Sequence, residues 1–298
     1  MPTAVADPLV MGADQWLAAQ ARHHQVVDTW TQARRARAAA GRAHPVEDFL
    51  FTYYSHKPAQ LRRWHPGAGV TLLGQPAHER LTWRWHTTTA VPQGVGVTVD
   101  VAAFVADRGD AVRRTMALLS ATAARSPHLG CFGLHEWAMV HRLAPGEQRH
   151  EDWPLRLGQH GTDEVVAAHP LRCSHFDAFR FFTPAARPLN VVQPTRDSQV
   201  ALEQPGCLHA TMDLYKAAYK LGPAVPSSLT VRCFALARDV REVDMRASPY
   251  DLSALGYQAV PIETAEGRAQ YVALQRAFTD RGQSLRTELI DLCQHLLT

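Results

Sequence analysis

The chain lacks most of the features that assign a protein quickly. Its five cysteines, Cys131, Cys173, Cys207, Cys233 and Cys293, are odd in number, scattered and without a C-x-x-C pair. That excludes a disulfide framework and a cysteine-held structural zinc, and it points to a reducing compartment. No run of about 18 apolar residues occurs, as a spanning helix would need, and the opening MPTAVADPLVMGADQW has no charged segment leading into an apolar one. A cytoplasmic protein with no membrane partner is expected. Charge of one sign is also missing: 31 basic and 28 acidic residues leave +3, too little for a dedicated nucleic-acid binder but compatible with an anionic partner. No G-x-G-x-x-G, G-x-x-x-x-G-K-[ST] or G-x-S-x-G is present, so no nucleotide cofactor is expected and an α/β-hydrolase site is excluded.

What is present is length, apolar content and histidine. With 298 residues, 46% of them hydrophobic, the chain is near the upper limit at which one core still serves. A single domain over 1–298 is expected, with residues 1–44 as an amino-terminal helical arm and 45–298 as the core. Helical patterns run from Ala13 to Arg42, between Thr98 and Arg125, from Ser228 to Val243, and from a cap at Thr264 to about Leu297. Short strands are expected around 70–97 and 171–183. The fold class is mainly α, a compact helical domain, or α+β with those few strands. Half of the 16 histidines (His128, His135, His141, His150, His160, His169, His175 and His209) fall between 128 and 209. Such density suits either a metal or acid–base site or a set of surface imidazoles.

Three segments could carry chemistry. In EQPGCLHATMDLYKAAYKL, His209 and Asp213 are i and i+4 on a helix that starts beside them, with Lys216 and Lys220 continuing the row. This is either a ligand pair or a surface ion-pair row. In HPLRCSHFDAFRFFTPAARPLN, an extended chain puts His175 and Asp177 on one face, and His209 would complete a two-histidine, one-carboxylate triad; a helical chain would make His175 and Asp177 diverge. Arg180, set among phenylalanines, reads as an anion clamp or a buried ion pair. In CFGLHEWAMVHRL, position 139 is Met where a His-Glu-x-x-His zinc motif needs histidine. Glu136 beside Trp137 is then a general acid or base, or a structural glutamate. The loop DMRASPYDLS, with Asp244, Arg246, Tyr250 and Asp251, could line a pocket.

Together these residues describe a metal-dependent enzyme, a non-haem iron oxygenase or a hydrolase, for a small polar or anionic substrate. His175, Asp177 and His209 would hold Fe(II) or Zn(II), Asp213 or Glu136 would act as fourth ligand or base, and Arg180 or Lys216 would hold the substrate. HPVEDFLFTYYSHKPAQLRRWHPG, CFGLHEWAMVHR, HPLRCSHFDAFRFFTPAARPLN, EQPGCLHATMDLYKAAYKLGP and DMRASPYDLS also resemble a bacterial, largely actinobacterial family labelled 3-methyladenine DNA glycosylase. The resemblance implies a shared site and, as the alternative activity, hydrolysis of the glycosidic bond of a damaged base in DNA. It transfers no catalytic residue. In that reading Asp177 or Asp213 stabilises the oxocarbenium-like sugar, and Trp83, Trp85 or Tyr215 stacks the base.

Overall fold

A computed structural model describes residues 9–144, 147 and 153–298; His150 of the histidine-rich stretch lies outside them. A short strand, β1 (Leu9–Met11), leads into the long helix α1 (Ala13–Ala39), whose buried residues Trp16, His23, Val27 and Thr31 form one inward stripe at helical spacing. Two single-turn helices follow, α2 (Phe49–Tyr53) and α3 (Pro58–Arg62). Strands β2 (Val70–Leu72), β3 (His86–Val91) and β4 (Gly94–Val99) complete a four-stranded mixed sheet of order β1-β2-β4-β3. Only the β1–β2 pair is parallel. Trp16, Trp64, Leu72 and Val97 form a small core of their own beneath the sheet.

Asp100 then caps α4 (Val101–Ala123), its carboxylate accepting from the Ala103 amide at 2.9 Å. Four shorter helices, α5 (Leu134–Ala138), α6 (Gly158–Ala168), α7 (Phe176–Phe179) and α8 (Gln199–Leu202), precede α9 (Leu208–Lys220), α10 (Ser227–Arg246) and α11 (Ala265–Leu297). Thr264 caps α11, as its sequence suggests, by accepting from the Gly267 amide at 3.0 Å. Helix α9 packs against both α10 and α11, and α4 also packs on α11. Of the α9 residues, Leu208, His209, Met212, Leu214, Tyr215 and Ala218 are all buried, so the helix is buried around most of its girth, as a central helix must be.

The result is a mainly helical domain with a small sheet. Strands do form between 70 and 99, but none forms over 171–183. There Leu171 makes only an isolated bridge to Asn190, and Phe176–Phe179 is a helical turn closed by Phe179 N–H to His175 C=O (3.0 Å) and Arg180 N–H to Phe176 C=O (3.0 Å). Ala178, Phe179 and Phe182 all face the core. An i, i+1, i+4 set is a helical face, and an alternating strand could bury only part of it. Among the described residues no helix is long and apolar enough to cross a membrane.

Candidate metal centre

Three buried segments meet where α9 begins. Helix α5 contributes His135, α9 contributes His209 from its first turn, and α10 contributes Asp244 near its end. Their donor atoms all lie within 4.8 Å of one another. His135 Nε2 is 2.8 Å from Asp244 Oδ1, and the rings of His135 and His209 sit edge to face with centroids 4.5 Å apart. Two tight backbone sites hold this arrangement. Gly133, with φ of +70°, starts α5 under the Tyr271 ring, a left-handed conformation that favours glycine. A Cβ on Gly206 would stand 2.7 Å from the His128 carbonyl. The Gln204 side chain accepts from both the His128 and Gly206 amides (2.8 Å each), and Gln275 Nε2 donates to the Gly206 carbonyl at 2.6 Å. The turn before α9 therefore brings the backbone close to another part of the same chain.

The three residues fit a divalent cation. His135 Nε2 and Asp244 Oδ1 are fully buried and face each other at 2.8 Å, and neither has any other polar partner. An imidazole and a carboxylate at this distance form an ion pair when the ring is protonated, and their spacing also matches that of neighbouring ligands on one cation, which with bonds of about 2.1 Å stand about 3 Å apart. Asp244's other oxygen accepts from Arg241 Nη1 at 3.0 Å. The same nitrogen donates to Glu136 Oε1 at 2.9 Å, and the guanidinium lies 3.7 Å over the Phe49 ring. Burial raises the Asp244 pKa, but His135 and other nearby cationic groups outweigh it and hold the carboxyl well below the usual range. Burial lowers the His135 pKa, and the Asp244 carboxylate more than reverses this. His209 is driven well below its ordinary value by burial and then by His135, so it is a neutral imidazole, the form that ligates.

His209 forms part of the wall of two small chambers, each of about 20 Å³. One is lined by Cys131, Cys173 and Cys207 beside His135, and burial raises all three thiols above their ordinary pKa, to about 12 for Cys173. The other is lined by Tyr53, Glu136, Asp177 and Arg241. Each is large enough for about one water-sized molecule.

The remaining residues singled out from the sequence form an adjoining network. His175 is fully buried, with Nε2 3.4 Å from Glu203 Oε1 and 3.5 Å from Asp213 Oδ2, and its ring stands 5.3 Å from that of His209. Asp213 accepts from the Tyr54 hydroxyl at 2.7 Å and from Lys216 Nζ at 2.9 Å, and Lys216 also donates to Asp177 at 3.1 Å. With α7 helical, His175 faces Asp213 while Asp177 pairs with Lys216. Arg180 stands at the surface, 47% exposed, 3.6 Å from Asp177 and stacked on Phe181. Tyr215 is buried, with His56 Nδ1 2.7 Å from its hydroxyl. Among the described residues, the group whose donors converge is thus His135, His209 and Asp244; His175 and Asp177 lie beside it. No family model, curated protein or solved structure matches this chain, and the centre is read from its geometry.

Proposed function

We propose that the chain is a metal-dependent enzyme, a non-haem iron oxygenase or a hydrolase, acting on a small polar or anionic substrate. The observation that carries this reading is the buried pair His135 Nε2 and Asp244 Oδ1, 2.8 Å apart, with a His209 ring nitrogen within 4.8 Å of both. With His209 they make a two-histidine, one-carboxylate set that suits Fe(II) or Zn(II) and leaves positions open. Such an ion supplies Lewis acidity or, as iron, access to dioxygen chemistry.

The chain's own residues do the rest. Arg241 binds one Asp244 oxygen and so orients the other toward the histidines. Tyr53, whose hydroxyl is buried without a partner and whose pKa burial and the nearby Asp213 raise well above the ordinary value, stays protonated as a donor in the second chamber. Glu136 in the same chamber is positioned to exchange a proton with a bound molecule. Asp177, held by Lys216, also lines this chamber. Elemental analysis of protein purified with iron or zinc present should find about one equivalent of metal per chain, as one three-ligand site implies. Only traces of every transition metal, with no uptake on titration, would remove the reading.

A DNA N-glycosylase is the second reading, supported by the family resemblance and by Trp83 and Trp85, which line a basic cleft. It requires a carboxylate beside the stacked base. Asp177 and Asp213 are both engaged with Lys216 and line no part of that cleft, which favours the metal reading. Duplex DNA binding that weakens steeply with salt would support the glycosylase.

A further inference from the structure

A larger cavity belongs to neither chamber. A cleft of about 690 Å³ runs between the end of α3, the start of β3, the middle of α4 and the carboxyl end of α9. That volume is typical of a small-molecule site. Arg63, Arg84, Arg108, Arg114 and Lys220 line it, and no carboxylate does. Of these five cations only Arg84 has a carboxylate partner among the described residues, Asp107 at 2.8 Å; Arg108 donates instead to the Lys220 carbonyl at 3.1 Å. Five gathered cations with one ion-paired carboxylate make the cleft attractive to an anion.

The floor is aromatic. Trp83 carries the Arg63 guanidinium 5.2 Å above its ring and the buried Arg80 at 4.7 Å. His65 and His86 stand edge-on to the same indole at 5.6 and 5.8 Å. Each of those imidazoles keeps one ring nitrogen buried with no hydrogen-bond partner. Planar stacking surfaces and unused polar atoms beside concentrated positive charge suit a ligand with an aromatic ring at one end and several anionic oxygens at the other. The positive field is local, because Asp107 and Asp110 stand on α4 outside the cleft and the whole chain carries only +3. A polymer would need a basic track that continues past the cleft; a single polyphosphorylated molecule does not.

We propose that this cleft binds a nucleoside di- or triphosphate, with the base on the Trp83–Arg63 stack and the phosphates among Arg108, Arg114 and Lys220. The site uses side chains where the familiar nucleotide motifs use a glycine-rich backbone. It is independent of the metal reading: Lys220 lies eleven residues beyond His209 on α9, about 16 Å along the helix axis.

The test is titration of the full chain at low ionic strength with ATP, tripolyphosphate and adenosine, followed by tryptophan fluorescence and calorimetry. ATP should bind saturably, tripolyphosphate more weakly and adenosine most weakly. R108Q/R114Q should lose about tenfold or more in ATP affinity, since two charge-assisted contacts go, and K220Q alone should lose less. Both variants should keep the metal content and circular dichroism of the parent. Absence of saturable ATP binding, binding that R108Q/R114Q leaves unchanged, equal affinity for tripolyphosphate and ATP, or tight binding of oligothymidylate with none of ATP would each overturn the proposal.

Discussion

Arg241 is 1% exposed and touches two buried carboxylates, Glu136 and Asp244. Replacing it with Met leaves both charges buried without their cation, which should cost about 3–5 kcal/mol of stability in urea unfolding. Metal affinity should also fall by about 10–100-fold, as is usual when the group that orients a ligand is lost; R241K, which retains the charge, should recover part of the stability. At Lys216, 28% exposed, the cation separates Asp213 from Asp177. Partial exposure softens the penalty, so K216M should cost about 1–3 kcal/mol. Because Lys216 contacts none of the three converging donors directly, its loss should leave the metal stoichiometry intact.

Helix α9 links both sites, with His209 at its start and Lys220 at its end, and its position depends on the close approach at Gly206. A methyl there would meet the His128 backbone carbonyl at 2.7 Å. G206A should lower stability by about 1–3 kcal/mol, the range for overpacking a tight contact, with a measurable drop in thermal midpoint. This helix was legible in the sequence because Pro205-Gly206 precedes an apolar stripe of period 3.6, and α11 was legible because of its Thr264 cap. Helix α10 was legible except at its end. Read to Val243, it leaves Asp244 in the loop that follows; running to Arg246, it puts Arg241 and Asp244 on the buried stripe with Ala237 and Val240. Charges interrupting an apolar face at i, i+3 and i+4 were the available signal for this part of the centre. His135 gave less, since its neighbour Glu136 is the more familiar acid–base residue. The run at 171–183 fits either an extended face or a helical turn in sequence, and the packing of Ala178, Phe179 and Phe182 on the core decides for the turn.

At the scale of the whole molecule, the histidine count becomes a pH dependence. Burial lowers His56 from 6.5 to about 4 and His65 to about 3, with Arg80 adding to the effect at His65. The folded chain keeps both neutral while the unfolded chain takes up protons near 6.5, so these two groups make stability fall as pH drops from about 6.5 toward 4. His135 and His175 are raised and act in the opposite sense, their contribution fading as pH rises. Urea unfolding across that interval should therefore show a shallower acid loss in H56N/H65N than in the parent; an identical slope would contradict the assignment. Such couplings depend on which imidazoles the fold buries, and composition alone is silent on that. Whether His135, His209 and Asp244 share one metal ion is tested most directly by the visible absorption of the Co(II)-loaded protein. The structure predicts ligand-field bands that saturate at about one equivalent, disappear in H135A, H209A and D244A, and persist in H175Q. Bands that survive in H135A and D244A but vanish in H175Q, or no bands in the parent, would contradict it.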